Sequence, residues 1–295
     1  MIDILLDKDR FYEYAETNSQ TFTSVREEDI GRASSSLTFP CIVKPPVRTV
    51  EWDRRVGKKG IIVADMEELE RCCAQVRPWS SKLVVQELVA GGPSNNYTCN
   101  CYFDRNSRPL VSFVTRKIRQ WPHDTGIGSS GEECRNDEVR EQTIALFTEM
   151  KFVGLAYLEM KRDTRTGRHV IIKPNSGRPT GRSAMAEGGG VEFLQTMYCD
   201  LLGLPLPTQR TQTFTGVKWI DLRHNCQSAL LHWWRGELTF LGWLHSIRGK
   251  RIHTLFSWRD PRPFVSDLWH AAKKAVRTIA SRRKKNGSQD LGRQH

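Results

Sequence analysis

The sequence lacks long apolar runs. No uninterrupted apolar stretch reaches half of the roughly 20 residues that a bilayer-spanning helix needs. The first thirty residues are polar and acidic, so they do not have the basic start and apolar centre of a secretion signal. We therefore expect a protein that neither spans a membrane nor is secreted, with a cytoplasmic location.

The sequence also lacks the cysteine spacing of a metal site or a disulfide framework. Among the eight cysteines, Cys72 and Cys73 are adjacent, Cys99 and Cys101 are one residue apart, and no Cys-x-x-Cys pair occurs. This spacing matches neither a zinc site nor a disulfide framework, and it predicts buried, reduced thiols. Metal-ligand spacing is likewise absent from the later histidines, which we expect to be structural or exposed: His224, His232, His245, His253 and His270.

The body of the chain has little excess charge. The 295 residues carry a net charge of +12, but residues 273–295 hold eight Lys/Arg and one acid, which leaves about +5 for the rest. Composition therefore disfavours nucleic-acid binding by the body. The basic tail is expected to be solvated, and any contact with a membrane would be peripheral, between this tail and acidic lipid headgroups.

Strand-like and helical segments alternate along the chain. Strand-like runs end at Lys44, Val63 and Val89, and the segments 97–103 and 109–116 predict a hairpin. Helical patterns occupy 7–15, 66–75 with Asp65 as N-cap, and 137–151. The stretch 47–59 is polar and basic, and we assign no element to it. The class is mixed α and β, with no internal repeat.

A second hairpin carries the chemically informative residues. Two strand-like segments, Gly154–Asp163 and His169–Asn175, flank a turn centred near Thr166. This centre sets Glu159 opposite Lys173, with Cβ atoms about 5 Å apart. Either the hairpin forms a functional polar face, or it is exposed and carries a cross-strand ion pair.

Three motifs together resemble the ATP-grasp superfamily, in particular its carboxylate–amine ligase branch. They are FPCIVKP at 39–45, VQELV at 85–89, and the second hairpin followed by GRPTGRS at 177–183. The resemblance extends from about Asp7 to Leu206. It implies an α+β fold of two lobes, with antiparallel sheets and packed helices, that clamps ATP.

The resemblance also implies how the chain is divided. Residues 1–90 would form the smaller lobe, 91–206 the larger lobe with the metal and phosphate hairpin, 207–272 a C-terminal helical extension, and 273–295 the basic tail. The implied activity is ATP-dependent ligation of a small-molecule carboxylate to an amine through an acyl phosphate.

The resemblance assigns four residues to the nucleotide. Lys44 would contact the ATP phosphates, because a flexible ammonium group can follow triphosphate charge. Lys8 would be a second phosphate contact. Glu87 and Leu88 would lie in the strand that links the lobes, where backbone groups read the adenine edge.

Metal and transition-state roles are implied further along the chain. Glu159 and Asn175 would hold Mg²⁺ against the phosphates, because Mg²⁺ prefers oxygen ligands and shares them with nucleotides. Arg178 and Arg182 would stabilise the charge on the transferred phosphoryl group.

Two basic or glycine-rich stretches leave alternatives open. Arg116, Lys117 and Arg119 would meet the carboxylate or acyl phosphate, or they form a solvated basic strand end. Gly126–Gly131 would cradle phosphate, or it is a plain loop.

The chain departs from the family pattern at two points. Position 173 is normally a metal-bridging Glu, and the ammonium of Lys173 cannot ligate Mg²⁺; we expect Glu159 to hold this ammonium in the metal's place. Family members also carry about a hundred residues before the early helix, so part of the carboxylate or amine site is expected either to be absent or to be supplied by a partner chain. These departures favour the alternative function, a catalytically degenerate nucleotide-binding or assembly subunit.

The region after Leu206 is rich in Trp, His and Arg. Residues 230–234 and 238–247 predict amphipathic helices lying on the main body. Such tryptophans build either a core or lid, which we expect here, or a partner surface.

Overall fold

A computed structural model describes residues 4–5, 7, 10–14, 24–26, 37–80, 82–123, 126–177 and 181–291. Two sheets organise these residues, one of four strands and one of seven. The mixed α+β class predicted from the sequence is confirmed.

The first sheet belongs to the smaller body of structure. Its elements are β1 (Ser24–Arg26), β2 (Cys41–Lys44), α1 (Val50–Arg55), β3 (Ile61–Val63), α2 (Met66–Val76) and β4 (Val84–Glu87). The strands are antiparallel in the order β1-β4-β2-β3. Asp65 caps α2 as predicted, since its side chain accepts a hydrogen bond from the Glu68 backbone N–H.

The second sheet contains the other seven described strands. Its elements and the helices around them are β5 (Asn96–Phe103), β6 (Pro109–Trp121), β7 (Ile127–Glu133), α3 (Asp137–Glu149), β8 (Gly154–Arg162), β9 (His169–Ser176), α4 (Gly181–Gly188), α5 (Phe193–Leu201), β10 (Lys218–Ile220), α6 (Leu222–Trp234), α7 (Phe240–Ile247), β11 (Arg251–His253) and α8 (Arg262–Leu291). The strand order is β11-β10-β7-β6-β5-β8-β9. Every pair is antiparallel except β10 with β11.

The core of the larger sheet forms against α3. The predicted apolar face of this helix is buried, including Val139, Leu146 and Phe147. The Phe147 ring lies 5.8 Å from the ring of Phe103 in β5, centroid to centroid. Val84 of β4 packs in the same cluster, so the core continues into the strand that joins the two sheets.

The glycine-rich segment Gly126–Gly131 is not a phosphate loop or a plain loop, because most of it is strand β7. It pairs with β6 on one side and β10 on the other. A Cβ atom at Gly131 would lie 3.0 Å from the Arg116 carbonyl oxygen, and one at Gly126 would lie 2.0 Å from the Pro122 carbonyl oxygen. Close backbone approach therefore explains these glycines.

Other segments also differ from expectation. The polar stretch 47–59 contains helix α1, whose Trp52 is fully buried. The C-terminal extension is helical but also contributes β10 and β11 to the larger sheet. The basic tail continues α8 to Leu291 rather than fraying.

The predicted burial of the cysteines holds for most of them, but Cys134 is half-buried and Cys226 is exposed. All eight are free thiols, and six of them are buried. Within the described part of the chain, no helix combines the length and apolar character needed to cross a bilayer.

Candidate functional site

A polar cluster between the two sheets contains Lys44. Its ammonium group donates to the Tyr12 hydroxyl oxygen at 2.9 Å and to Gln86 Oε1, and it lies 5.0 Å from the centroid of the Tyr12 ring. Gln86 and Tyr12 are buried, whereas Lys44 is half-buried. Lys44 ends β2 and Gln86 lies in the neighbouring β4, so pairing of these strands brings the two side chains together.

Tyr12 connects this cluster to the second hairpin. Its hydroxyl donates to the backbone carbonyl of Ile172 in β9 at 3.1 Å. Burial raises the pKa of the Tyr12 phenol, and the nearby negative charge of Glu159 raises that pKa further. Tyr12 therefore joins Lys44 of the first sheet to the hairpin that carries Glu159.

The hairpin has the predicted pairing at Glu159, although the register shifts by one residue between Glu159 and Met160, nearer the turn. Glu159 pairs with Lys173, and Tyr157 pairs with Asn175, so Glu159, Lys173 and Asn175 share one face. The predicted ion pair is wrong. Among the described residues, neither Glu159 nor Lys173 forms an ion pair, and the Lys173 side chain is exposed, where water solvates its ammonium group.

Asn175 presents a buried polar group on this face. In the described part of the chain, its Nδ2 atom is buried without a hydrogen-bond partner. A buried N–H donor that is left unsatisfied costs about 1–3 kcal/mol. Such a group is commonly one that a ligand or a water molecule satisfies.

The tip of the hairpin is fastened to the strand that links the sheets. Arg165 Nη2 lies 2.6 Å from Glu87 Oε1 and 2.6 Å from Asp163 Oδ2. Hydrogen bonding from Arg165 holds the pKa of Asp163 below its usual range. Lys161 Nζ donates to the Val89 carbonyl at 2.6 Å.

The predicted adenine-reading residues lie at this link. Glu87 uses its side chain for Arg165. The Leu88 backbone N–H donates to the Pro40 carbonyl at 2.9 Å, which leaves the Leu88 carbonyl as the group that could meet an adenine amino group.

The basic residues of β6 are not a solvated strand end. Arg116 pairs with Glu132, with Nε 3.0 Å from Oε1. Lys117 Nζ donates to Gln120 Oε1 at 3.1 Å. Arg119 is buried, and burial lowers its pKa; its Nη2 lies 3.4 Å from Asn225 Oδ1 in α6.

Three predicted site residues are not placed by these contacts. Lys8 and Arg178 lie outside the described residues. Arg182 lies in the first turn of α4, and only this backbone position is described. Their assigned roles stay predictions.

Sequence reasoning missed Tyr12, Gln86, Lys161 and Arg165. Gln86 had a detectable signal, because it is a polar residue inside an otherwise apolar strand. The role of Tyr12 had none, because its partners Lys44 and Ile172 are 32 and 160 residues away.

Two histidines meet outside this site. His123 Nδ1 lies 3.3 Å from His232 Nε2, and Glu237 Oε2 lies 2.6 Å from His232 Nδ1. Glu237 contacts Nδ1 of His232, whereas His123 contacts Nε2 on the other side of the same ring. Only two ligand atoms of the three residues therefore face a common point. The three residues form a hydrogen-bonded chain rather than a metal site.

Comparison with known proteins identifies the fold. No protein-family profile matches the chain. The described structure is similar to biotin carboxylase from Campylobacter jejuni in complex with β,γ-ATP, with a TM-score of 0.56, 12% identity, and coverage of 72% of this chain and 50% of that one. It is also similar to N5-carboxyaminoimidazole synthetase from Staphylococcus aureus complexed with ADP, with a TM-score of 0.55, 16% identity, and coverage of 70% and 54%. The chain therefore has the ATP-grasp fold.

A curated relative gives a more specific similarity. The chain is 26% identical over 190 residues to D-aspartate ligase of Enterococcus faecium (strain Aus0004), which covers 59% of this chain and 45% of the ligase. This match confirms the resemblance to ATP-grasp carboxylate–amine ligases. The chain spans about half the length of the relatives that it matches.

Proposed function

We propose that this chain binds ATP between its two sheets and acts as an ATP-dependent carboxylate–amine ligase. A substrate carboxylate oxygen would attack the γ-phosphorus of ATP, forming an acyl phosphate and releasing ADP. An amine nitrogen would then attack the acyl carbon, lose a proton and expel phosphate, which leaves an amide bond. The observation that supports this most directly is the convergence of Lys44 and Glu159 on Tyr12.

The residues of the site suit the parts of a nucleotide. The Lys44 ammonium can exchange its contacts with Tyr12 and Gln86 for phosphate oxygens, which carry full charge and bind it more strongly. The link around Leu88 offers a backbone carbonyl for adenine. Arg178 and Arg182 are proposed to approach the transferred phosphoryl group.

The hairpin fits one Mg²⁺ ion that is shared with phosphates. Glu159 offers a carboxylate and Asn175 an amide oxygen on the same hairpin face. The buried Asn175 Nδ2 atom is a donor, so it suits a phosphate oxygen rather than the ion. Mg²⁺ commonly takes one or two protein carboxylates and completes its shell with phosphate and water. A second Mg²⁺ ion bridged to the first does not fit this face, because the exposed Lys173 ammonium cannot ligate a metal. When bound, the ion would neutralise phosphate charge.

Lys173 also supports a second candidate function, a nucleotide-binding subunit without ligase chemistry. An ammonium in place of a bridging carboxylate can neutralise phosphate charge but cannot hold a metal. The two candidates predict the same ATP binding and differ in turnover.

One experiment separates these functions. ATP binding is measured by calorimetry with and without Mg²⁺, and ADP release is then followed over a panel of carboxylates with amines, beginning with D-aspartate, which is tested both as the carboxylate and as the amine. Amine-dependent ADP release supports the ligase, whereas ATP binding with no release from any pair supports the second candidate. If ATP does not bind under either condition, both proposals are wrong.

A further inference from the structure

The last helix carries an apolar stripe that faces solvent. In α8, Val265, Trp269 and Val276 have exposed fractions of 59%, 60% and 65%, and Leu268 is also exposed. Trp269 follows Val265 by four residues and precedes Val276 by seven, so these three side chains lie on one side of the helix. Exposed apolar stripes of this kind commonly mark an interaction surface.

The opposite side of α8 contacts the rest of the protein. Phe264, Asp267 and Ala271 are its half-buried positions. Asp267 forms an ion pair with Arg223 of α6, with Oδ2 2.5 Å from Nε, and the Phe264 ring lies 5.5 Å from the Phe256 ring. At about 100° per residue, the apolar stripe lies roughly 150° around the helix from this side. The helix is thus attached through a polar contact and directs its apolar stripe outward.

Positive charge borders the stripe. The Lys273 ammonium lies 4.8 Å from the Trp269 ring centroid. Arg277 is exposed one turn further along the helix from Lys273. The sequence from 273 to 295 has eight basic residues and one acidic residue. A complementary partner must therefore offer negative charge beside an apolar surface.

The neighbouring helices expose more apolar surface. An apolar groove of about 370 Å³ lies between α6 and α7. Its lining includes Leu230, Trp233, Leu238, Phe240 and Trp243. Trp233 is exposed rather than part of the core or lid expected from the sequence, and so are Trp234, Trp258 and Trp269.

We propose that the C-terminal extension docks on the surface of an anionic phospholipid bilayer. Helix α8 would lie in the interface with Val265, Trp269 and Val276 among the acyl chains and its basic residues on the headgroups, which is the pattern of interfacial amphipathic helices. Tryptophan is favoured at this depth. This goes beyond the proposed ligase activity and does not depend on it.

The same features argue against the other occupants. A nucleic acid would use the positive charge but would leave the stripe in water. A second copy of this chain would bring another basic helix against the first, and the two would repel each other.

Vesicle binding tests the proposal. The chain is sedimented with phosphatidylcholine vesicles and with vesicles that also contain about 30% phosphatidylglycerol, in about 0.1 M salt. We expect at least tenfold tighter binding to the anionic vesicles.

Trp269→Glu should weaken this binding at least tenfold, whereas Thr148→Glu, which adds the same charge on the exposed side of α3, should change it less than twofold. Lys273→Gln should weaken it about fivefold, because each basic residue near an anionic surface contributes about 1 kcal/mol.

Several results would overturn the proposal. These are equal or absent binding to both vesicle types, or equal effects of Trp269→Glu and Thr148→Glu. Light scattering that shows a dimer dissociated by Trp269→Glu, without vesicle binding, would identify a second copy as the occupant. Salt-sensitive binding to DNA that Trp269→Glu leaves unchanged, again without vesicle binding, would identify a nucleic acid. Circular dichroism checks the fold, and Val276→Glu provides a second variant should Trp269→Glu not fold.

Discussion

Lys44 has the most direct link to nucleotide binding, because it ends β2 inside the polar cluster between the sheets. We expect Lys44→Ala to raise the ATP dissociation constant at least tenfold, since a charge-assisted phosphate contact contributes about 1.5–3 kcal/mol. Lys58→Ala is the matched control, because Lys58 is exposed after α1. Calorimetry measures both variants, and an unchanged ATP affinity of Lys44→Ala would remove Lys44 from the site.

Lys173 decides how strongly the site depends on metal. The wild type should use one Mg²⁺ ion at most, because the Lys173 ammonium on the hairpin face cannot ligate a second one. Lys173→Glu places two carboxylates about 5 Å apart. Their repulsion should lower the melting temperature without ligand, and Mg²⁺ with ATP should raise it again.

Lys173→Gln is the control for this substitution, because it removes the positive charge without adding a metal ligand. It should show neither change. The metal-site assignment fails if Lys173→Glu acquires no Mg²⁺ dependence in calorimetry or melting. Rapid, Mg²⁺-dependent ATP turnover that is retained when Glu159 is replaced with Gln would instead mean that another carboxylate, such as Asp163 or Glu187, serves as ligand.

At the residue scale, local sequence periodicity predicted which residues face each other across the hairpin, because the geometry of the backbone determines this. The turn near Thr166 predicted the pairing of Glu159 with Lys173, which forms. The pairs nearer the turn are offset by one residue from the predicted register, so a bulge between Glu159 and Met160 also contributes to this pairing. The turn position could not predict whether the two side chains touch, because solvation of an exposed ammonium competes with an ion pair. Contacts over long sequence separation, such as Tyr12 with Ile172, have no local pattern at all.

Among the elements, α1 depends on one side chain. Trp52 is fully buried, and its Nε1 donates to the Lys58 carbonyl at 2.7 Å. We expect Trp52→Ala to lower the free energy of unfolding by about 3–5 kcal/mol. Trp258→Ala should change it by less than about 0.5 kcal/mol, because Trp258 is 89% exposed. Urea denaturation followed by circular dichroism measures both, and equal effects would show that α1 does not contribute to the core.

The contact between the hairpin tip and β4 should make stability depend on pH. Arg165 keeps the pKa of Asp163 depressed, so folding favours the ionised carboxylate. This stabilisation is complete above the ordinary Asp pKa of about 4 and is lost as pH falls through the lower folded value. Arg165→Ala should lower the free energy of unfolding by about 1–2 kcal/mol near pH 7, and the difference from wild type should shrink near pH 3.

Arg105→Ala is the control for Arg165→Ala, because Arg105 is exposed in the turn between β5 and β6. Urea denaturation at both pH values gives the comparison. A difference between Arg165→Ala and wild type that stays constant with pH would mean that Asp163 does not carry the effect.

Elements with strong apolar patterns were predictable, and those that depend on tertiary pairing were not. The apolar run at β2 and the capped helix α2 appear where the pattern placed them. Strand β7 reads IGSSGEE, which has weak strand propensity; it forms because β6 and β10 pair with both of its edges. Helix α1 buries little besides Trp52, so its apolar periodicity is too short to detect.

For the whole molecule, the motifs between Asp7 and Leu206 predicted the fold that the structural comparison confirms. The position of the tryptophans in the C-terminal extension was not predicted correctly from the sequence. Trp-rich sequence builds either core or surface with the same residues, and only the tertiary contacts of α8 show that Trp269 faces outward. Sequence composition cannot separate these outcomes, because it records which residues are present and not which side of a helix meets the body.

The end of the chain tests whether folding, nucleotide binding and membrane docking are separable. Residues 281–295 contain one large apolar residue, Leu291, so they bury little. Deleting them should leave the melting temperature and ATP affinity unchanged, because the nucleotide site lies between the sheets. The same deletion removes four consecutive basic residues, Arg282 to Lys285, and should weaken binding to anionic vesicles at least tenfold, at about 1 kcal/mol per charge. Replacing these four residues with Gln in the full-length chain should reproduce the vesicle result without shortening the helix. A melting temperature lowered by several degrees in the deletion variant would show that the tail packs on the body. Equal vesicle binding by the wild type, the deletion variant and the Gln variant would confine docking to the part of α8 before residue 281.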